Sequence, residues 1–296
     1  MFDNIIGNKN VKELLNSIEN PTHAYMFSGP DGIGKMLFAQ EFANKFLCIS
    51  ENKPCYKCKS CIQFEHDNNT DFQIIDSIDG SIKIEQIREM ISKIYEKPIL
   101  SNKKIYIINN ADKMTAQAQN CLLKILEEPP QYVVIILVVS NDYAILNTIK
   151  SRCIKIKFGK IEDEDLKQYL EKNGQNITND MLKMYNGSIG KAITLQGKEE
   201  KYAKIQDYIN SNYKTDFVKA AKIIYEEKEE VINFLEYMNI LFYNKCDKNI
   251  RYSNCINKVN EAVGKLKYNC NIEMLIDELL LDIWEELNEE YSRCAL

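Results

Sequence analysis

The run Phe27-Ser28-Gly29-Pro30-Asp31-Gly32-Ile33-Gly34-Lys35-Met36 comes within one residue of the phosphate-binding pattern G-x-x-x-x-G-K-[ST]. In that pattern glycine-rich backbone turns its N–H groups toward nucleotide phosphates, the lysine reaches the outer phosphates, and a hydroxyl holds Mg²⁺. Gly29, Gly32, Gly34 and Lys35 preserve the cradle, but Met36 stands where the hydroxyl belongs. A thioether is no ligand for a hard cation that takes oxygen in near-octahedral geometry. ATP binding at this loop is therefore left open, while magnesium chemistry there is not expected. ATP hydrolysis also asks for carboxylates at the end of a later strand, one for Mg²⁺ and one to activate water. The matching apolar run, residues 105–108, leads instead into Asn109-Asn110-Ala111-Asp112. Side-chain amides carry neither the charge that holds a metal nor the basicity that takes a proton, and Asp112 reads as a turn or helix-cap residue.

A second chemical cluster is Cys48-x6-Cys55-x2-Cys58-x2-Cys61. Four thiolates this close in sequence can close a tetrahedral structural Zn²⁺ site with no position left for a substrate; free thiols or an iron–sulfur cluster are the alternatives. Lys53, Lys57 and Lys59 lie among them and offset the negative charge of such a centre. Cys121, Cys153, Cys246, Cys255, Cys270 and Cys294 are scattered and read as small apolar residues. Ser151-Arg152-Cys153 precedes the last apolar run of the first half, and what Arg152 does depends on the fold around it. His23 and His66 have none of the Ser or Asp company of a hydrolase.

These residues need elements to position them. Short β-rich runs occupy 24–28, 72–76, 104–109, 133–140 and 154–158, separated by helical patterns such as 84–96, stopped by Pro98, and 116–128, stopped by Pro129-Pro130. Strands alternating with helices predict a mostly parallel five-stranded sheet with helices on both faces. The glycine loop follows the first strand and opens a helix at Lys35, the setting in which free N–H groups face an anion. Beyond residue 158 the strand pattern stops. Helical stretches near 163–171, 181–185 and 191–195 suggest a small lid. The remainder is helical too, ending in a stretch with Ile272, Leu275, Ile276, Leu279, Leu280, Ile283, Trp284 and Leu287 on one broad face. The expected domains are an α/β unit over 1–160 with the cysteine module at 48–61, a lid over 161–201, and an all-α domain over 202–296.

The 296 residues suffice for two or three domains. Hydrophobic residues at 45% and charged residues at 27% are those of an ordinary globular chain, which excludes collagen-like and disordered classes. A net charge of −5 argues against a general nucleic-acid binder, although a local basic face is compatible with it. The N-terminal residues lack the basic and apolar regions of a signal peptide, and no apolar run approaches the roughly 20 residues that span a bilayer. A cytoplasmic protein without membrane contact is expected, so the ten cysteines point to metal and not to disulfides.

Together, Phe2-Asp3-Asn4-Ile5-Ile6-Gly7, His23 to Pro30, the inserted cysteine module, Leu122-Leu123-Lys124-Ile125-Leu126-Glu127-Glu128-Pro129-Pro130 and Ser151-Arg152-Cys153 resemble, in that order, the bacterial DNA polymerase III clamp-loader subunits of the AAA+ ATPase class. The resemblance covers roughly the first 160 residues. It implies an AAA+ P-loop domain, a lid and a C-terminal helical collar. Within that family the chain is similar to the non-hydrolysing delta-prime type, the alternative being a gamma/tau-like ATPase. The ATP-hydrolysing type carries Lys-[Ser/Thr] in the loop, Asp-Glu after the later strand, and a lid arginine in Gly-Ser-x-Arg, where this chain has Gly187-Ser188-Ile189-Gly190. By the same resemblance, Arg152 is an arginine finger for a neighbour's ATP site. The implied partners are gamma/tau motor subunits and a delta subunit in a hetero-pentamer, within the DNA polymerase holoenzyme. The sliding clamp and primed DNA would be met through that assembly.

Overall fold

The computed structural model describes residues 1–175, 177–247, 249–266, 268 and 270–288; Cys294 and the end of the expected 202–296 domain lie outside the described residues. The chain forms two compact units, Met1–Lys172 with Gly187–Gly190, and Asn173–Asn186 with Lys191 onward. The segment expected as a lid is thus shared between them.

In the first unit, strands β1 (Ala24–Ser28), β2 (Phe72–Ile75), β3 (Lys104–Ile108), β4 (Val133–Val139) and β5 (Ile154–Lys157) form one sheet in the order β2-β3-β4-β1-β5. Every pairing is parallel. Parallel strands require crossovers, and the crossovers cover both faces, so the inner strands are apolar without alternation. On β4 all seven residues are buried: Val133, Ile135, Leu137 and Val139 join one core, while Val134, Ile136 and Val138 join the other. The first core is closed by α4 (Ile84–Ile94) and α5 (Ala116–Glu127) through Ile87, Met90, Leu122 and Ile125. The second is closed by α1 (Lys9–Ser17) and α2 (Lys35–Leu47) through Leu15, Phe38, Phe42 and Phe46. Helix α3 (Lys59–Glu65) begins within the cysteine module and carries its last ligand, Cys61. The short α6 (Asn147–Lys150) leads into edge strand β5, and α7 (Asp163–Lys172) follows it. Lys155 and Lys157 alternate along β5 on the sheet's edge, where charge discourages further strand pairing.

The second unit is helical among its described residues: α8 (Asn179–Tyr185), most of α9 (Ile189–Thr194), α10 (Glu199–Ile209), α11 (Lys214–Glu226), α12 (Val231–Tyr243), α13 (Arg251–Lys265) and α14 (Ile272–Leu287). Helix α11 packs on α10 and α14, and α13 on α12 and α14. The broad face of α14 buries Leu275, Ile276, Leu279, Leu280 and Ile283, while Trp284 is half-buried and donates from its indole to Asn212 O at 3.1 Å. Among the described residues no helix is long and apolar enough to cross a membrane.

Candidate functional site

The glycine loop sits between the C-terminal end of β1 and the start of α2, as its motif requires. Gly32 and Gly34 have φ of +71° and +91°, left-handed values that a side chain rarely tolerates. Gly29 is glycine because a Cβ there would lie 2.4 Å from Phe158 O. The loop's lysine is turned inward. Lys35 is 4% exposed, and its Nζ donates to Gly29 O at 2.9 Å, Pro30 O at 2.6 Å and Ser140 Oγ at 3.1 Å. An ammonium has three N–H donors, so reaching a phosphate means breaking one of these bonds. Burial pulls the Lys35 pKa down, with Asp31 and Asp112 opposing. The Gly32 amide donates to Asp31 Oδ1 at 3.0 Å.

Ser188 and Gly190 also pack against the loop. Gly190 N donates to Gly32 O at 2.8 Å, and a Cβ built on Gly190 would lie 2.7 Å from Gly32 Cα. A Cβ on Gly32 would meet Ser188 Oγ at 2.2 Å. Ser188 and Gly190 therefore pack tightly on the Cα and carbonyl side of Gly32, which does not admit even a methyl group.

At the end of β3 the two asparagines are engaged. Asn109 Nδ2 donates to Asp76 Oδ2 at 2.7 Å and Asn110 Nδ2 to Asp76 Oδ1 at 3.0 Å, with Ser77 N on Oδ1 at 2.7 Å. Burial opposes ionisation of Asp76, but these amide donors and Lys113 outweigh it and hold the carboxyl below its ordinary pKa. Asp112 lies in a 3₁₀ turn and accepts from Ser140 N at 3.1 Å, a turn role as its sequence position suggests.

The four clustered cysteines converge. Their Sγ atoms all lie within 4.8 Å of one another, with Cys48 to Cys58 at 3.9 Å and Cys55 to Cys61 at 4.0 Å. A tetrahedron with Zn–S bonds of about 2.3 Å has edges of about 3.8 Å, so the set fits zinc. Cys48 caps the end of α2 and Cys58 caps α3, accepting from Cys61 N at 3.5 Å, so helix ends place three of the four ligands while Cys55 comes from the loop between them. The Cys55 thiol is drawn down to about 5 by the Ser50 hydroxyl first and then by the amides of Lys57 and Cys58. Burial, then the thiols of Cys58 and Cys48, push Cys61 up. The module is tied to α2 by Tyr56, whose hydroxyl donates to Glu41 Oε2 at 2.8 Å. Ser101, just ahead of β3, bridges Ser60 Oγ on α3 at 3.1 Å and Leu47 O at the end of α2 at 2.7 Å.

Arg152 lies elsewhere. It follows α6 and precedes β5, whose Ile154 pairs with Tyr25 while Lys157 pairs with Ser28. Because the strands are parallel, Arg152 sits at the edge where strands begin and the glycine loop at the edge where they end, separated by at least about 10 Å of strand. Arg152 is therefore not part of its own chain's loop. Its guanidinium donates to Thr148 O at 2.8 Å and Glu127 Oε1 at 2.7 Å.

The sequence pattern finds the loop, the cysteines and Arg152, but not Gly190 over Gly32, Ser140 on Lys35, Asp76 between the asparagines, or Glu127 on Arg152. Each of these pairs joins distant segments. Only Gly190 left a trace, as a glycine in place of an arginine.

A family profile described as "DNA polymerase III, delta subunit" matches residues 7–162, more than half the chain. The DNA polymerase III subunit gamma of Buchnera aphidicola subsp. Schizaphis graminum is 35% identical over 207 residues, 66% of this chain and 57% of that one. The subunit delta' of Bacillus subtilis (strain 168) is 34% identical over 183 residues, 58% of this chain and 56% of that one. The chain thus spans little more than half the length of these curated relatives. Among solved structures, a gamma subunit-related protein from Thermotoga maritima aligns with a TM-score of 0.50 at 18% identity, over 94% of this chain and 98% of that one, a likeness of fold.

Proposed function

The chain belongs to the DNA polymerase III delta-subunit family of clamp-loader AAA+ subunits, and from that premise we propose that it is a non-hydrolysing subunit of the delta-prime type. The observation that carries this is Lys35, whose three donors are spent on Gly29, Pro30 and Ser140 in place of a phosphate. Met36 and the Asn109/Asn110 pair add to it, since neither can hold Mg²⁺ or activate water. Arg152 acts in trans. From the strand-start edge it gives its guanidinium to the γ-phosphate of ATP held by an adjacent motor subunit, where a planar cation offsets developing charge. Cys48, Cys55, Cys58 and Cys61 hold a structural Zn²⁺ that fixes the connection between α2 and α3 and, being fully ligated, takes no part in catalysis. The partners are gamma/tau-type and delta subunits, and through them the sliding clamp and primed DNA.

A second reading, a gamma/tau-like ATPase, draws on the 35% identity to a gamma subunit. Two measurements separate them. The isolated chain with ATP, Mg²⁺ and DNA should show no sustained turnover; steady hydrolysis would refute the first reading. In an assembly reconstituted with motor subunits, Arg152→Ala should lower ATP turnover by about 10³-fold or more at the affected site, with assembly intact.

A further inference from the structure

We propose that Glu127 is the positioning residue of Arg152, holding its guanidinium ready for the neighbouring site; this rests on the trans-acting reading of Arg152 given above. The two residues come from different crossovers that converge on one edge of the sheet. Glu127 ends α5, where Pro129-Pro130 stop the helix before β4, and Arg152 lies between α6 and β5. The guanidinium is clasped from two sides, by Thr148 O of its own turn and by Glu127 Oε1, 25 residues away in sequence.

Glu127 is not placed there to serve its own helix. A carboxylate at a helix C-terminus opposes the helix dipole, and lysine or arginine is the favoured residue in the last turn. Helix α5 has Lys124 in its last turn but still ends in Glu127, with Glu128 as its cap. The cation beside it supplies the compensation. The side chains of Arg152 and Glu127 are 34% and 51% exposed, and a pair this open to water is weak. It can order a long, rotamer-rich side chain without outcompeting a phosphate, which carries more charge. The two bonds use two of the guanidinium's five N–H donors, so an incoming phosphate oxygen can be met before Glu127 lets go.

The test uses the full chain in a reconstituted assembly with ATP-hydrolysing gamma/tau-type subunits, reading kcat and KM for ATP. Glu127→Ala should lower kcat by about three- to tenfold through lost side-chain order, with KM for ATP unchanged. Glu127→Gln, whose amide oxygen still accepts, should stay within about twofold, and Glu127→Lys, which repels the guanidinium, should fall below Glu127→Ala. In an Arg152→Ala background the Glu127→Ala change should cost nothing further, a result that a purely structural role would not give. The proposal is overturned if Arg152→Ala lowers turnover while Glu127→Ala leaves it unchanged, or if the two losses multiply; in both cases the trans-acting reading survives. If Arg152→Ala itself leaves turnover unchanged, that reading falls and the proposal with it.

Discussion

Gly190 does by lacking a side chain what no other residue could do at its position. A Cβ there would press to 2.7 Å on Gly32 Cα, a distance that only backbone movement relieves. Gly190→Ala should therefore destabilise the first unit by about 1–3 kcal/mol, the usual cost of overpacking, measured by urea unfolding; a change under about 0.5 kcal/mol would mean that the contact is not held in solution. Asp76 makes a second prediction, in pH. Its folded pKa lies below the ordinary value because Asn109, Asn110 and Ser77 bond the charged form more strongly than burial penalises it. A depressed carboxyl pKa gives stability that is present above the unfolded pKa of about 3.9 and lost as pH falls through the lower folded value. The stability difference between the natural protein and Asp76→Asn should accordingly be full at pH 6 and shrink below about pH 4. An equal difference at pH 6 and pH 3 would show that the network does not depend on the charge.

At the scale of elements, the cysteine module joins the end of the phosphate-loop helix to α3, and two helix caps orient its ligands. One zinc per chain is expected by elemental analysis, and chelation or Cys58→Ser should lower the melting temperature of the first unit by more than about 4 °C, the equivalent of about 1 kcal/mol in a domain of this size. An unchanged melting temperature in metal-free protein would remove the structural role. The elements themselves were legible in the sequence wherever one physical signal dominated. Residues 24–28 are β1 to the residue, and the other four strands end one residue sooner than the apolar runs suggest, because Asp76, Asn109, Ser140 and Phe158 already belong to the turns leaving the sheet. Helix α5 begins at Ala116 as its pattern implies, and the prolines stop it at Glu127. Helix α9 begins two residues before the expected 191, since Ile189 and Gly190 gave no apolar period. What could not be read was strand order and everything that follows from it. Periodicity says which face a residue occupies and nothing about which segment lies opposite, so Asp76 beside the asparagines and Glu127 beside Arg152 came only with the folded chain.

At the scale of the whole molecule, two compact units carry different work: the first holds the glycine loop, the cysteines and Arg152, and the second is a helical body with α11, α13 and α14 at its core. On the proposed reading, the net charge of −5 suits a protein whose contact with DNA would run through partners. The all-parallel sheet has a further consequence. Parallel strands give a domain a head and a tail, and here the glycine loop is at one and Arg152 at the other. If each subunit of a ring serves the next through such an arginine, a chain that does not hydrolyse ATP gives at one side and receives nothing at the other. On the proposed reading the ring therefore has a marked starting point, and each turn of its cycle burns one ATP fewer than the number of subunits for every copy of this chain it contains.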